Sequence, residues 1–331
     1  MINYVAVTEN SLIENTVIGC DLYIRLNVKG SPRHVLFCRG DEAFSNTRRE
    51  ELINRNMDNL FICTRDFKSY IRYQENNLQK ILDDNKRSSK EKSHVVYHVA
   101  KNLAQDLLSD PRSGTNIDRV ANWVEKSVGY ILHDENAFSS LLKVTEHDYY
   151  TYTHSVNLAV LGLLFGKHIL LDQRSLNYLG IGMLIHDVGK VEIPLEILNK
   201  PGRLTKEEFE LVKKHPETGI RLLKGEKNID VKSLKVVIQH HENYDGTGYP
   251  DKIGGSDIHL FGRASRILDV YDALTTNRPY RNAMKPFAAL VEMKRNMPGC
   301  FEEELLNEFI SFLGPKDQRR NKREGDVLVE T

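Results

Sequence analysis

Gly182-Met183-Leu184-Ile185-His186-Asp187-Val188-Gly189-Lys190 is the stretch on which the reading of this chain turns. An apolar helical run ends in a histidine and an aspartate side by side, followed by a glycine and a lysine. His186 offers a nitrogen ligand and Asp187 two oxygens, and Lys190 brings a positive charge to whatever binds there. A metal ion with an anionic substrate is the first chemistry this suggests. An adjacent His-Asp pair is common, so the rest of the chain has to supply more ligands.

Working outward, apolar periodicity predicts a long helix over 150–170 with His154 near its start, and a helix over 172–185 leading into His186. Helices are also expected over 205–214, 229–239 and 262–275, the last carrying Asp269 on an apolar face. His215 is read as ending the first of these before Pro216, and His240-His241 as ending the second before Glu242. Further helices fall over 95–108 (closed by Asp110-Pro111), 117–132, 137–144 and 286–313. Few stretches after residue 90 alternate at period two, so a helical bundle is the natural architecture there.

The region before it reads differently. Segments 23–28, 35–38 and 59–63 have the pattern of short strands, with Gly30-Ser31-Pro32 as a turn and Ser45-Asn46-Thr47 as a helix start. A helical pattern covers 67–82, and the polar run 83–92 is the best linker candidate, or else the solvated middle of a connecting helix. The expected organisation is therefore mainly α: a small α+β N-terminal domain with its connecting helix over 1–90, and a helical domain over 91–331. No ligand cluster or phosphate loop is visible in the N-terminal part, which reads as a regulatory or interaction module.

Composition bounds the function. The 331 residues contain 46 basic and 46 acidic side chains, so no global field favours a nucleic acid polymer or a membrane surface. Cys20, Cys38, Cys63 and Cys300 lack CxxC spacing and read as reduced, buried thiols rather than a disulfide framework or a zinc site. The first ten residues lack signal-peptide character, and the most apolar stretch, 156–171, contains Lys167 and His168 and reads as a buried helix rather than a membrane span. A cytoplasmic location is expected. The tail carries Lys316, Arg319, Arg320, Lys322 and Arg323, read as a solvated end, and a short terminal strand is expected over 326–329.

Of the twelve histidines, His34, His94, His98, His133, His147, His168 and His259 have no evident partner and read as surface or satisfied core residues. His154, His186, His215, His240 and His241 sit in a different context, at the starts or ends of helices, alongside Asp187 and Asp269. A carboxylate on an apolar helix such as that of Asp269 is costly unless it is paired or binds a cation. Helix-borne His and Asp pointing into a bundle core suit two ions that act together on phosphorus. Imidazole and carboxylate without thiolate suit iron, manganese, zinc or nickel. Asp187 can bridge two ions through its two oxygens.

The stretch His240-His241-Glu242-Asn243-Tyr244-Asp245-Gly246-Thr247-Gly248-Tyr249-Pro250, with two histidines, two acids and two tyrosines, is too rich in side chains for an ordinary surface turn, and reads as a site loop. With it the motifs run in order: 150–155, His186-Asp187-Val188-Gly189-Lys190, 193–202, His215-Pro216-Glu217-Thr218-Gly219, His240-His241-Glu242 with the glycine-tyrosine-proline turn, Asp269-Val270-Tyr271-Asp272-Ala273-Leu274 and Arg278-Pro279-Tyr280-Arg281. Over residues 95 to 315 the chain resembles the HD-GYP family, the metal-dependent phosphodiesterases within the HD superfamily.

The resemblance implies a helical domain that hydrolyses cyclic di-GMP to linear pGpG and onward to GMP, in bacterial second-messenger signalling. It implies metal ligands His154, His186, Asp187, His215, His240, His241 and Asp269, with Asp187 bridging. Lys190 is then expected on a substrate phosphate or as donor to the leaving oxygen, Arg278 and Arg281 on phosphate oxygens, Tyr249 in the substrate pocket, and Asp272 orienting its neighbours. Two divalent ions are expected, iron first and manganese second. Family members with a third metal use a glutamate four residues before the first histidine. That position is Tyr150 here, which argues for two ions, since neither Asp148 nor Glu146 has the helical phase to compensate. Two alternatives stand beside this reading: a slow or inactive scaffold that keeps metal and nucleotide and binds a signalling protein through the N-terminal domain or the loop at Tyr249, and a hydrolase of another cyclic dinucleotide or phosphoester.

Overall fold

In Leu22–Val28, residues 22 and 24 are buried while 25 and 27 are exposed, the period-two pattern of a strand with one covered face. This strand, β3, lies in a four-stranded antiparallel sheet with β1 (Tyr4–Thr8), β4 (Ser31–Cys38) and β6 (Asn59–Cys63), in the order β1-β6-β3-β4. A separate two-stranded ribbon pairs β2 (Thr16–Val17) with β5 (Ala43–Phe44). The computed structural model describes residues 3–8, 11–28, 31–54, 59–145, 153–277 and 282–314.

Three strands fall where alternation predicts them. β1 was not read because YVAVT is too short and too apolar to show a period; it is defined by its pairing with β6, from Tyr4 opposite Cys63 to Thr8 opposite Asn59. Ser31 and Pro32 belong to β4 rather than to a turn. β4 is an edge strand, where a proline without an N–H breaks no ladder.

Helix α1 (Asn46–Asn54) starts where Ser45 accepts from the Arg48 N–H. The helical run over 67–82 breaks at Asn77 into α2 (Phe67–Asn76) and α3 (Leu78–Asp83). The polar run 83–92 is not a plain linker. Ser88 and Glu91 form a capping box that starts α4 (Ser89–Ser109), and Arg87 is buried, bonded to Asp84 and to the Leu12 carbonyl. α5 (Gly114–His133) and α6 (Ala137–Thr145) follow.

The segments that carry the site residues come next. They are α7 (Thr153–His168), α8 (Gln173–Ile185), α9 (Leu195–Leu198), α10 (Lys206–Val212), α11 (His215–Leu222), α12 (Val231–Gln239) and α13 (Leu260–Thr275). The single helix expected over 286–313 is two, α14 (Pro286–Asn296) and α15 (Glu303–Leu313), because Pro298 and the positive φ of Gly299 break the run. α7, α8, α12 and α13 pack in succession and bury Val156, Leu163, Met183, Val236, Ile267 and Leu268. Buried apolar side chains form one contiguous cluster from Val7 to Phe312.

A mainly α fold with a small N-terminal sheet agrees with the reading of the sequence. No helix among the described residues is long and apolar enough to cross a membrane. Tyr150, Asp148, Glu146, Arg278, Arg281, the basic tail 316–323 and the expected strand over 326–329 lie outside the described residues.

Candidate metal centre

The histidine ligands sit at helix termini, where the backbone can hold the imidazole, while Asp269 lies inside α13. His186 caps the C-terminus of α8 and its Nδ1 donates to the Met183 carbonyl at 2.8 Å. His240 caps α12, with Nδ1 2.9 Å from the Val237 carbonyl. His215 begins α11 rather than ending α10; Pro216 takes the first turn, where its missing N–H breaks no bond, and His215 Nδ1 lies 2.7 Å from the Val212 carbonyl. His154, in the first turn of α7, bonds through Nδ1 to Asp272 at 2.6 Å. In each case the second ring nitrogen faces the centre of the bundle.

Among the described residues, three groups of ligand atoms each lie within 4.8 Å of one another: His154-His186-Asp269, His215-His240-His241, and His186-Asp187-His240, which links the first two. Asp187 stands between those two. Its Oδ2 lies 3.3 Å from His186 Nε2 and 3.9 Å from His154 Nε2, while its Oδ1 lies 3.3 Å from His215 Nε2 and 3.7 Å from His240 Nε2. Asp269 reaches to both sides as well, with Oδ1 3.1 Å from His154 Nε2 and Oδ2 3.8 Å from His241 Nδ1. All seven expected ligands are thus brought together.

The arrangement of the buried ring nitrogens and carboxylate oxygens suits a cation. A carbonyl oxygen only accepts, so the Nδ1 atoms of His186, His215 and His240 carry hydrogen, and Nε2 is the nitrogen each ring turns towards the centre. His215 Nε2 and His240 Nε2 lie 3.1 Å apart. His186 Nε2 and Asp187 Oδ1 are buried without a hydrogen-bond partner. Each such unpartnered atom costs about 1–3 kcal/mol, and a cation satisfies both at once. Burial pulls His240 down to about 4, and burial with the adjacent His240 charge pulls His241 well below its ordinary value. Desolvation works to raise the Asp187 and Asp269 carboxyls, but their histidine neighbours, with Lys190 beside Asp187, hold both well below the carboxylate range. Desolvation works against His154, but hydrogen bonds to Asp269 and Asp272 win and push it up to about 10.

The surrounding shell is built as closely. Lys190 Nζ lies 2.6 Å from Asp187 Oδ2, and the lysine is about one-third exposed. Asp272 is behind His154, with one oxygen on the imidazole and the other 3.4 Å from Asn157 Nδ2. Asn157 in turn accepts from Tyr97 at 2.6 Å. Asn157 was not singled out from the sequence, although a polar side chain one turn after His154 on an apolar helix was a signal. Tyr249 stacks on His241 with ring centroids 4.6 Å apart. The loop that carries it is fastened by buried Glu242, which accepts from the Asp251 and Lys252 N–H groups at 2.7 and 3.1 Å. Gly248 lets the loop fold back on the histidine pair, since a Cβ there would sit 2.3 Å from the Asn243 nitrogen.

Residues 136–300 match the HD domain family. The chain belongs to that family. It is 34% identical over 217 residues to the cyclic di-GMP phosphodiesterase PA4108 of Pseudomonas aeruginosa, a match covering 65% of this chain and 52% of the relative. It is 33% identical over 228 residues to the cyclic di-GMP phosphodiesterase response regulator RpfG of Xanthomonas campestris, covering 67% of this chain and 55% of that one. The chain therefore spans about half the length of the curated relatives it matches. In fold it resembles Bd1817, an HD-GYP-type protein of Bdellovibrio bacteriovorus, with a TM-score of 0.66 at 20% identity, over 94% of this chain and 99% of that one. The fit of this HD domain to divalent cations rests on the close Nε2 atoms of His215 and His240 and the unpartnered His186 and Asp187 atoms.

Proposed function

We propose that this HD-domain chain is a metal-dependent phosphodiesterase that hydrolyses cyclic di-GMP to linear pGpG. The observation that supports it most is the division of the Asp187 oxygens between two histidine sets. The curated relatives point to the same substrate class. Two divalent ions, iron before manganese, would be held by His154, His186 and Asp269 on one side and His215, His240 and His241 on the other, with Asp187 shared. Bound there, such ions supply Lewis acidity to a phosphoryl oxygen and make water a stronger nucleophile at neutral pH.

The chain's own residues do the rest. Hydrolysis adds the oxygen of one water to phosphorus, breaks a P–O3′ bond and returns a proton to the leaving oxygen. Lys190, tethered at Asp187, meets the negative charge gathering on phosphorus and can give a proton to the leaving oxygen. Asp272 keeps the His154 ring turned so that Nε2 faces inward. Tyr249 lines the approach over His241. Arg278 and Arg281 are assigned to phosphate oxygens from the motif alone. With Tyr150 in place of a carboxylate, two ions rather than three are proposed. Residues 1–90 are assigned as a regulatory or interaction module and 91–331 as the phosphodiesterase domain.

The test is cyclic di-GMP turnover by anaerobically purified protein with its metal content measured on the same sample. His186→Ala and Asp187→Ala should lose both metal and turnover. Retained hydrolysis in a metal-free variant would overturn the reading.

A further inference from the structure

The aromatic contact that begins on His241 does not stop at Tyr249. Phe209, on the exposed side of α10, meets Tyr249 edge to face, with ring centroids 6.5 Å apart at 80°. Phe209 is 44% exposed, a large apolar ring left in water one aromatic contact out from His241. Lys213, one turn further along the same helix, holds its Nζ 4.8 Å from the Phe209 centroid and 5.9 Å from that of Tyr249. Glu210 holds the same ammonium at 2.6 Å on the outer flank. The helix is fixed in place by a capping box at Thr205 and Glu208 and by the Lys200–Glu208 ion pair. A continuous step therefore leads from a ligand histidine to the surface: His241, Tyr249, then Phe209, with a cation above the last two.

We propose that Phe209 and Lys213 form the subsite for one base of the cyclic dinucleotide, selective for guanine; this rests on the phosphodiesterase reading of the same site. Exposed aromatic faces beside a phosphate site are how proteins hold unpaired bases, and each stack is worth about 1–3 kcal/mol by truncation. A base that stacks on Phe209 displaces the Lys213 ammonium from over the ring to the base's own edge. Guanine presents two acceptors on that edge, O6 and N7, and both accept from a lysine; adenine presents N7 beside an N6 amino donor, which the ammonium repels. Glu210 offsets one positive charge at this rim, so the pair suits a neutral base better than a further phosphate. Phe209 is a specificity residue here, remote from the reacting atoms.

The test uses the full chain and two probes, cyclic di-GMP and its analogue with 8-vinylguanine in place of one guanine, which keeps O6 and N7 and whose fluorescence is quenched by stacking. Wild type should bind both and quench the second. Phe209→Ala and Phe209→Leu should weaken cyclic di-GMP binding about tenfold and abolish quenching, whereas Phe209→Trp should keep both. Lys213→Ala should narrow the preference for cyclic di-GMP over cyclic di-AMP. The exposed position lets these variants fold, checked by unchanged helical circular dichroism. Wild-type affinity and quenching in Phe209→Leu would overturn the base subsite alone. Failure of wild type to bind any cyclic dinucleotide would overturn the phosphodiesterase reading beneath it.

Discussion

Gly189 and the carbonyl of His215 lie so close that a Cβ built on residue 189 would stand 1.9 Å from that oxygen. The absence of a side chain at 189 is what lets α11 approach the turn after Asp187, and so what puts His215 Nε2 3.3 Å from Asp187 Oδ1. Any larger residue must push the His215 segment away. Gly189→Ala should therefore cost about 1–3 kcal/mol of stability through overpacking. Its larger effect should be on the centre, because the His215-His240-His241 set loses a member while His154-His186-Asp269 is untouched. Metal content should fall from two ions towards one per chain, with turnover largely lost. Elemental analysis alongside a melting curve checks both parts, and a variant that keeps both ions would refute the role given to this contact.

Asp272 is expected to act through His154 rather than on substrate. Its carboxylate accepts from the imidazole at 2.6 Å and is itself fixed by Asn157. Partners of this kind typically contribute about 10- to 100-fold in metal affinity. Asp272→Ala should weaken affinity within that range, measured by competition with a chelator. Asp272→Asn keeps an accepting oxygen and should recover part of the loss. Equal affinity in wild type and Asp272→Ala would mean that His154 is positioned by the helix alone.

These two relationships mark the limits of what was legible beforehand. The ligand set could be read because the histidines and Asp187 stand at helix ends, Asp269 is a lone carboxylate within an apolar helix, and the motifs keep their order along the chain. The helices expected over 172–185, 205–214 and 229–239 fall close to α8, α10 and α12, whose starts are capped by Asp172, Thr205 and Asp230. What could not be read depends on three-dimensional approach. That Gly189 touches the His215 carbonyl, or that Phe209 reaches Tyr249 across forty residues of chain, has no local signature. β1 was missed for the same reason, since its identity comes from β6 and not from its own five residues. His215 was placed on the wrong helix because a proline can end one helix or open the next, and only the backbone decides.

The loop at Tyr249 depends on one buried acid. Glu242 is 1% exposed and accepts two backbone N–H groups through Oε1, while Oε2 has no hydrogen-bond partner. Glu242→Gln retains an accepting oxygen and should leave both the melting temperature and the KM for cyclic di-GMP near wild type. Glu242→Ala strands the Asp251 and Lys252 N–H groups and should lower stability by about 1–3 kcal/mol. Its KM should rise more than its kcat falls, since the loop lines the approach rather than the reacting atoms. Steady-state kinetics on the two variants separate these outcomes, and an alanine variant with unchanged KM would argue against the anchor.

Far from the centre, Asp106 ties α4 to α2 and α5 through Lys68 at 2.6 Å, Arg72 at 3.1 Å and Arg119 at 2.9 Å. Desolvation works to raise the Asp106 carboxyl, but hydrogen bonds from Lys68 and Arg119 outweigh it and hold the group below its ordinary value. The unfolded chain then takes up the proton first on acidification. The stabilisation is complete above the unfolded carboxylate value of about 3.9 and is lost as pH falls from there through the lower folded value. Asp106→Asn should lower stability at neutral pH on the order of 3 kcal/mol and flatten the acid limb of the melting profile. A wild-type profile with no acid limb beyond that of Asp106→Asn would remove the network from the pH dependence.

Metal binding should be visible in stability as well as in turnover. The folded chain holds the ligand set ready, with His215 Nε2 and His240 Nε2 3.1 Å apart and His186 Nε2 unpartnered, whereas an unfolded chain holds no such set. A cation that prefers the folded state raises stability by RT ln(1 + [L]/Kd), about 2.7 kcal/mol at a hundredfold excess over Kd. Adding ferrous or manganous ion to chelator-treated protein should therefore raise the melting temperature by several degrees. His186→Ala removes one ligand and also one unpaired buried nitrogen. Its metal-free form should melt close to the metal-free wild type, while its gain on adding metal should largely vanish. An equal gain in wild type and His186→Ala would place the stabilising ion elsewhere, and differential scanning fluorimetry on the two proteins with and without metal decides between these outcomes.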